Sequence, residues 1–277
     1  MNARSFPILL SIWVGATACS GGPPAPPALE YNRSSVADLH YDVFDTTSVG
    51  VSVMGQNMAL GQEGSALFSV RLAPAAAGID VTLTVEQMAV VVNQPLGAPI
   101  RLDEGDIQGS LIYSLDRQGN ATVEQLPEVR DEASQMISGL ALAHGFLPGL
   151  PGRALEAGES WVDTVSFEGV DGPGSRSETS VVRYTVVGDT VVDGRSLLSI
   201  VLDGSTDTSN DMEISGMTVS QTSELELKGH LLWDLSTGMM IESRRSASGS
   251  GTVRVPVAPA PLPIEIRTTR HARLRRP

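Results

Sequence analysis

Four histidines, one cysteine and two acid-rich stretches are the residues from which a reaction centre could be built. His40, His144, His230 and His271 lie far apart in the chain and far from Cys19, so no local zinc or haem spacing is written in the sequence. His144 falls on an apolar helical stripe, where a hydrogen-bonded structural role is expected. Gly158-Glu159-Ser160-Trp161-Val162 is the nearest approach to a nucleophile elbow. It has Val162 where a second glycine must permit the sharp turn. Trp161 therefore reads as a core anchor and Glu159 as a solvated residue. Asp171-Gly172-Pro173-Gly174-Ser175 contains a proline and leads into a strand, so it reads as a turn and not as a phosphate loop. Asp103-Glu104-Gly105-Asp106, and Asp203 through Asp207 to Asp211 and Glu213, offer oxygen ligands of the kind calcium takes. Neither keeps the rhythm of an EF-hand loop, and both read as solvated loops. The expectation is a protein that is not an enzyme, with no catalytic residues, no cofactor and no metal site.

The bulk properties narrow the partners. The chain of 277 residues carries a net charge of −13, which disfavours nucleic acid as a partner. Aromatic residues make up only 4% of it. Stacking platforms for sugars or single strands, and the aromatic girdles of a membrane barrel, both need more.

The amino terminus carries an address. Residues 1–18 combine Arg4, an apolar run from Phe6 to Val14 and the small residues Gly15, Ala16, Thr17 and Ala18. The run is shorter than the roughly 20 residues that span a bilayer, so it reads as an export signal. The small-residue approach to Cys19 resembles the bacterial lipoprotein lipobox, with Ala16 where a leucine is usual. In that family the cysteine is acylated, which implies lipidation at Cys19 and a membrane anchor. A plain secretory signal cut near Ala18 is the alternative. Residues 19–38 begin Cys19-Ser20-Gly21-Gly22-Pro23-Pro24 and continue rich in proline, a semi-extended tether. Ser20 after the acylated cysteine implies the outer membrane, facing the periplasm.

Residues 39–277 read as a single β-rich domain. Ala66, Phe68, Val70 and Leu72 alternate with Leu67, Ser69 and Arg71, and Ile79, Val81, Leu83 and Val85 alternate with polar residues. Further runs place Ile107, Leu111, Tyr113 and Leu115 on one face, and Met217, Val219, Leu225, Leu227 and Leu231 on another. This period of two marks antiparallel strands with one wet face. Asp193-Gly194 predicts a tight hairpin, because both positions tolerate positive φ. The expected class is all-β and mainly antiparallel, a curved sheet or half-barrel arranged as a meander. Spacing of Val129, Ala133, Met136, Ile137, Leu140, Ala141 and His144 predicts one principal amphipathic helix over residues 128–145.

Two passages, Gly109 to Leu115 with Gly119, and Gly229 to Leu235 with Gly238, look alike. They suggest duplicated halves, 39–126 and 154–277, with chance similarity of short apolar strands as the alternative. Leu147-Pro148-Gly149-Leu150-Pro151 leading to Gly158-Glu159-Ser160-Trp161, then Tyr184-Thr185-Val186 and Gly229 to Trp233, resembles a group of uncharacterised secreted bacterial β-rich lipoproteins. The architecture this implies is similar to the half-barrel lipoprotein carriers of the Lol type. No activity comes with that resemblance.

The carboxyl terminus predicts a closing strand. Ile264, Ile266, Thr268, Ala272 and Leu274 share one face, and Arg267, His271, Arg273 and Arg275 the other, with acidic neighbours such as Glu224 or Glu226 expected beside them. Arg270 falls on the apolar side, so it must meet a carboxylate or mark a disturbed pairing. The functional expectation is a periplasmic or envelope lipoprotein that binds an apolar ligand or lipid on a curved sheet. A structural lipoprotein that binds another envelope protein is the alternative.

Overall fold

Strict alternation of side chains, sustained over strands of up to 20 residues, dictates a sheet with one shielded and one wet face. In the computed structural model, residues 27–31, 34–53, 56–94, 97–134, 137–171, 174–214 and 216–275 are described. The export signal, Cys19 and half of the stretch read as a tether lie outside them; of its described residues Leu29 and Tyr31 pack into the core and Ala37 opens β1. The strands are β1 (Ala37–Val53), β2 (Gln56–Pro74), β3 (Gly78–Asn93), β4 (Ile100–Asp103), β5 (Ile107–Gln108), β6 (Leu111–Asp116), β7 (Ala121–Gln125) and β8 (Glu128–Val129). Two short helices follow, α1 (Asp131–Ser134) and α2 (Gly139–Gly145), and then β9 (Ser160–Asp171), β10 (Gly174–Val192), β11 (Arg195–Ile214), β12 (Met217–Asp234), β13 (Met239–Arg254) and β14 (Leu262–Leu274).

One antiparallel sheet runs in the order β7-β6-β3-β2-β1-β14-β13-β12-β11-β10-β9, with β4 beside β3, and curls through 279° as a half-barrel. The all-β class and the curved sheet are therefore as the sequence predicts. The simple meander is not: two meanders meet at β1 and β14, so the two ends of the domain pair in the middle of the sheet. Between the meanders the chain crosses from the β7 edge to the β9 edge through α1, α2 and a loop. On that path α2 packs against β9, β7 and β6, and so spans the gap the curl leaves open.

The helix expected over 128–145 is shorter and divided. Glu128–Val129 pairs with β5 as a strand, and Ser138 opens α2 afresh, its hydroxyl accepting from the Ala141 N–H at 3.0 Å. The hairpin at Asp193-Gly194 forms as the dipeptide demands, with φ of 53° and 78°. The stretch Asp203 to Glu213 is not a loop. It lies inside β11, with Asp203, Asp207, Asp211 and Glu213 exposed on the outer face.

The tight curl depends on residues without side chains. At Gly249 and Gly251 of β13 an added Cβ would fall into the carbonyl oxygens of Glu224 and Thr222 on β12. At one end of the curl the inner face is filled by a core that includes Tyr41, Phe68, Val70, Ile79, Ile200 and Trp233. Leu29 and Tyr31 of the incoming chain, together with Phe146, Leu147 and Leu150 after α2, plug that end. Each such fully buried side chain contributes on the order of 2 kcal/mol.

Candidate functional site: the inner face of the half-barrel

The registers of successive strands stack inner-face residues into cross-strand rows, separated along the strands by about 6.7 Å. One row, Ala66, Val43, Ala272, Ser243, Leu231 and Ile200, belongs to the filled end. The next row is charged. Gly64 of β2, Asp45 of β1, Arg270 of β14, Arg245 of β13 and Gly229 of β12 are in register, so two arginines stand side by side between glycines. Beyond it lies a mixed row, Thr47, Thr268, Ala247, Leu227 and Gly204, and then an aliphatic one, Leu60, Val49, Ile266 and Leu225, with Gly249 between the last two. Of that wall Ile266 is buried, 6% exposed, while Leu60, Val49 and Leu225 are half-buried.

The charged row is held by a bidentate ion pair. Arg270 donates from Nε to Asp45 Oδ1 at 2.8 Å and from Nη2 to Asp45 Oδ2 at 3.2 Å. The wrong-face arginine of the closing strand thus meets a carboxylate, and its pairing is regular on both sides. Arg245 differs. Its Nη1 donates to the Gly145 carbonyl at the carboxyl end of α2, 3.0 Å away, and its Nε is buried without a partner among the described residues.

Asp163 on β9 faces the same interior. Burial pushes its pKa above the ordinary carboxylate range, and the Gly149 N–H and the Arg245 charge offset part of that. All four tyrosines of the chain also point inward. Tyr31 donates to the Pro148 carbonyl and Tyr41 to the Met240 carbonyl, both at 2.8 Å, whereas the Tyr113 hydroxyl has no partner among the described residues. Burial raises the pKa values of Tyr31, Tyr113 and Tyr184, so these phenols stay neutral.

Further along β10, Glu178 accepts from Arg176 Nη2 at 2.6 Å, and the Ser180 hydroxyl, 3.3 Å from Glu178, also meets Thr206 at 2.8 Å. His144 stacks on Phe167 with ring centroids 4.8 Å apart and planes 9° apart, where a hydrogen-bonded histidine was expected. Burial lowers its pKa and the nearby Glu178 partly restores it.

The Leu147 to Pro151 stretch and the Gly-Glu-Ser-Trp stretch form a clamp. Trp161 Nε1 donates to the Gly149 carbonyl at 3.0 Å, and Gly149 returns its own N–H to Asp163. A Cβ at Gly149 would occupy the Asp163 carboxylate, which is why the position needs glycine. Trp161 stacks on Tyr184 at 4.9 Å and packs on the core as an anchor. Glu159 is tied to its loop rather than simply solvated, accepting from the Glu156 N–H at 2.7 Å and from Arg153 at 2.9 Å. The motif closes one end of the half-barrel.

The other sequence candidates disperse. His40 pairs with Glu86 at 3.3 Å, His271 with Glu242 at 3.2 Å and His230 with Ser199 at 2.9 Å, all on the outer face. Asp103 caps the short turn Glu104–Asp106, and buried Asp106 is paired with Arg130 at 2.6 Å. Among the described residues no group of metal-ligating side chains comes together. The acidic neighbours of β14 are Asp42, Asp45 and Glu242 on β1 and β13, not Glu224 or Glu226 on β12. A shallow open depression of about 520 Å³ on the outer face is lined by Ser177, Thr179, Asp207, Ser209, Thr222 and Glu224. Its hydroxyls and carboxylates are wet and offer an apolar molecule nothing.

No described protein family matches the chain, and no curated protein does. Among solved structures, DynF from the dynemicin biosynthesis pathway of Micromonospora chersina is similar at 10% identity, over 92% of this chain and 89% of that one. The TM-score is 0.24, and the likeness carries no argument about fold or function.

Proposed function

We propose that the protein is an envelope lipoprotein, anchored through Cys19, that binds an apolar ligand or lipid inside its half-barrel without transforming it. The observation that supports this is the graded inner face. A core fills one end, and past the charged row come a mixed row of Thr47, Thr268, Ala247 and Leu227 and an aliphatic one of Leu60, Val49, Ile266 and Leu225, of which Leu60 packs on a second cluster around Met88 and Val90. Curved sheets present such faces to apolar molecules, with a few polar groups fixing orientation. The proline-rich stretch that follows Cys19, up to the buried Leu29, tethers the domain to its membrane.

Hydrogen exchange tests the reading. Saturating hexadecanol should slow exchange in peptides covering β1 and β14 and leave the β9 edge unchanged. Equal exchange with and without the alcohol would contradict it. An assembly role has one observation in its favour: β9 ends the sheet and shows the exposed valines Val162 and Val170, an edge to which a partner strand could add.

A further inference from the structure

The chain enters the domain at the filled end and is fixed there. Leu29 donates its N–H to the Arg153 carbonyl at 3.1 Å and accepts from the Gly152 N–H at 2.9 Å. Tyr31 donates its N–H to the Arg117 carbonyl at 2.9 Å, and its ring meets Trp233 edge-on with centroids 5.8 Å apart. Trp233 stands opposite Leu198 of β11, and from there β11 runs 16 residues further to Ile214 at the other, open end. At about 3.3 Å per residue this is roughly 53 Å along the strand. Strands of barrels tilt by about 35–45°, which puts the open end about 37–43 Å from Trp233 along the axis.

Cys19 stands ten residues before Leu29. Fully extended, ten residues span at most about 36 Å, and at the polyproline rise about 31 Å. An open end turned down onto the leaflet that holds Cys19 would therefore need more chain than there is.

Charge decides between standing and lying on a flank. Asp203, Asp207, Asp211, Glu224 and Glu226 are exposed on the outer face of β11 and β12, with Lys228 among them. Anionic headgroups repel such a face. At the rim of the filled end, Arg71, Arg117, Arg153 and Arg275 are each paired with a carboxylate, at 3.1, 4.0, 2.9 and 2.7 Å, and the turn of Ala75, Ala76 and Ala77 carries no charge. Those charges are compensated before any lipid is met.

We propose that the half-barrel stands with its filled end toward the leaflet that holds Cys19 and presents its open end to the aqueous compartment. The proposal rests on the anchor at Cys19 given above and adds the polarity that the entry point imposes. Val257, 78% exposed on the turn between β13 and β14, is then held clear of that leaflet.

The test uses the lipidated protein with one added cysteine, Ala76→Cys at the filled end or Val257→Cys at the open end, both exposed positions. Each carries a fluorescent donor and is reconstituted into vesicles of phosphatidylethanolamine and phosphatidylglycerol containing a rhodamine-headgroup lipid as acceptor. Intact mass reads the acyl groups on Cys19, and melting shows that each variant folds. The expected result is a larger loss of donor fluorescence at Ala76→Cys than at Val257→Cys. On acylated protein, equal losses or a larger one at Val257→Cys overturn the orientation and leave the anchor standing. Protein without the acyl mass overturns both.

Discussion

Removing a single hydroxyl from each inward tyrosine should have opposite consequences at different positions. Tyr41 OH donates to the Met240 carbonyl and ties β1 to β13, and Tyr31 OH donates to the Pro148 carbonyl and ties the incoming chain to the end plug. Both side chains are buried, so a phenylalanine leaves a carbonyl lone pair without its donor. The expected cost is about 1–2 kcal/mol each. For a domain of this size that is a fall of roughly 2–8 °C in Tm. Tyr113 is fully buried with a hydroxyl that has no partner among the described residues. Its folded state already carries the desolvation of that group, so Tyr113→Phe should be neutral or stabilise by up to about 1 kcal/mol. Urea titrations of the chain with each substitution measure this, provided the slopes agree so that midpoints compare directly. A loss at Tyr113→Phe equal to that at Tyr41→Phe would refute the reasoning, because it would require a partner for the Tyr113 hydroxyl that the interior does not supply.

Further expectations concern charge, backbone and anchor. Asp163 has a raised pKa because it is buried, so its ionisation opposes folding as pH rises from the unfolded-state value near 4. Asp163→Asn keeps an acceptor for Gly149, and its stability relative to the parent should climb through that window and match it below pH ~4; a constant offset would contradict the assignment. Gly251→Ala should cost more than about 2 kcal/mol, since its Cβ meets the backbone of β12, whereas Gly50→Ala, with open space around it, should be neutral or slightly stabilising. Circular dichroism melts separate the two, and equal effects would remove the packing argument for the curl. Radiolabelled palmitate should enter the parent chain and not Cys19→Ala, and equal labelling would end the anchor proposal.

Period-two alternation made the strands and their wet face readable, and Asp193-Gly194 located its hairpin, because both signals are local. The stretch Asp203 to Glu213 was missed because Thr206, Thr208 and Asn210 on the inner face are polar too, which erases the contrast that alternation needs. The helix was overextended because the stripe from Val129 to His144 cannot show that Ser138 begins a new helix after a strand and a turn. The site was hidden for a different reason. Asp45, Arg245 and Arg270 meet only through the registers of β1, β14 and β13, and β1 and β14 are separated by most of the chain. Arg270 on an apolar face was the one visible trace of it. Arg245 left a fainter one, an arginine in phase with Ala247, Gly249 and Gly251, residues too small to look like a face.

The central claim is that the half-barrel carries a lipid. It is tested most directly by native mass spectrometry of the protein extracted from its own membrane. Collisional activation distinguishes the covalent acyl groups at Cys19 from a guest held without a bond. The account predicts a lipid-sized mass that leaves on activation while the Cys19 modification remains. Protein that carries only its covalent anchor, or that flies as a stoichiometric complex with another envelope protein and no lipid, would contradict it.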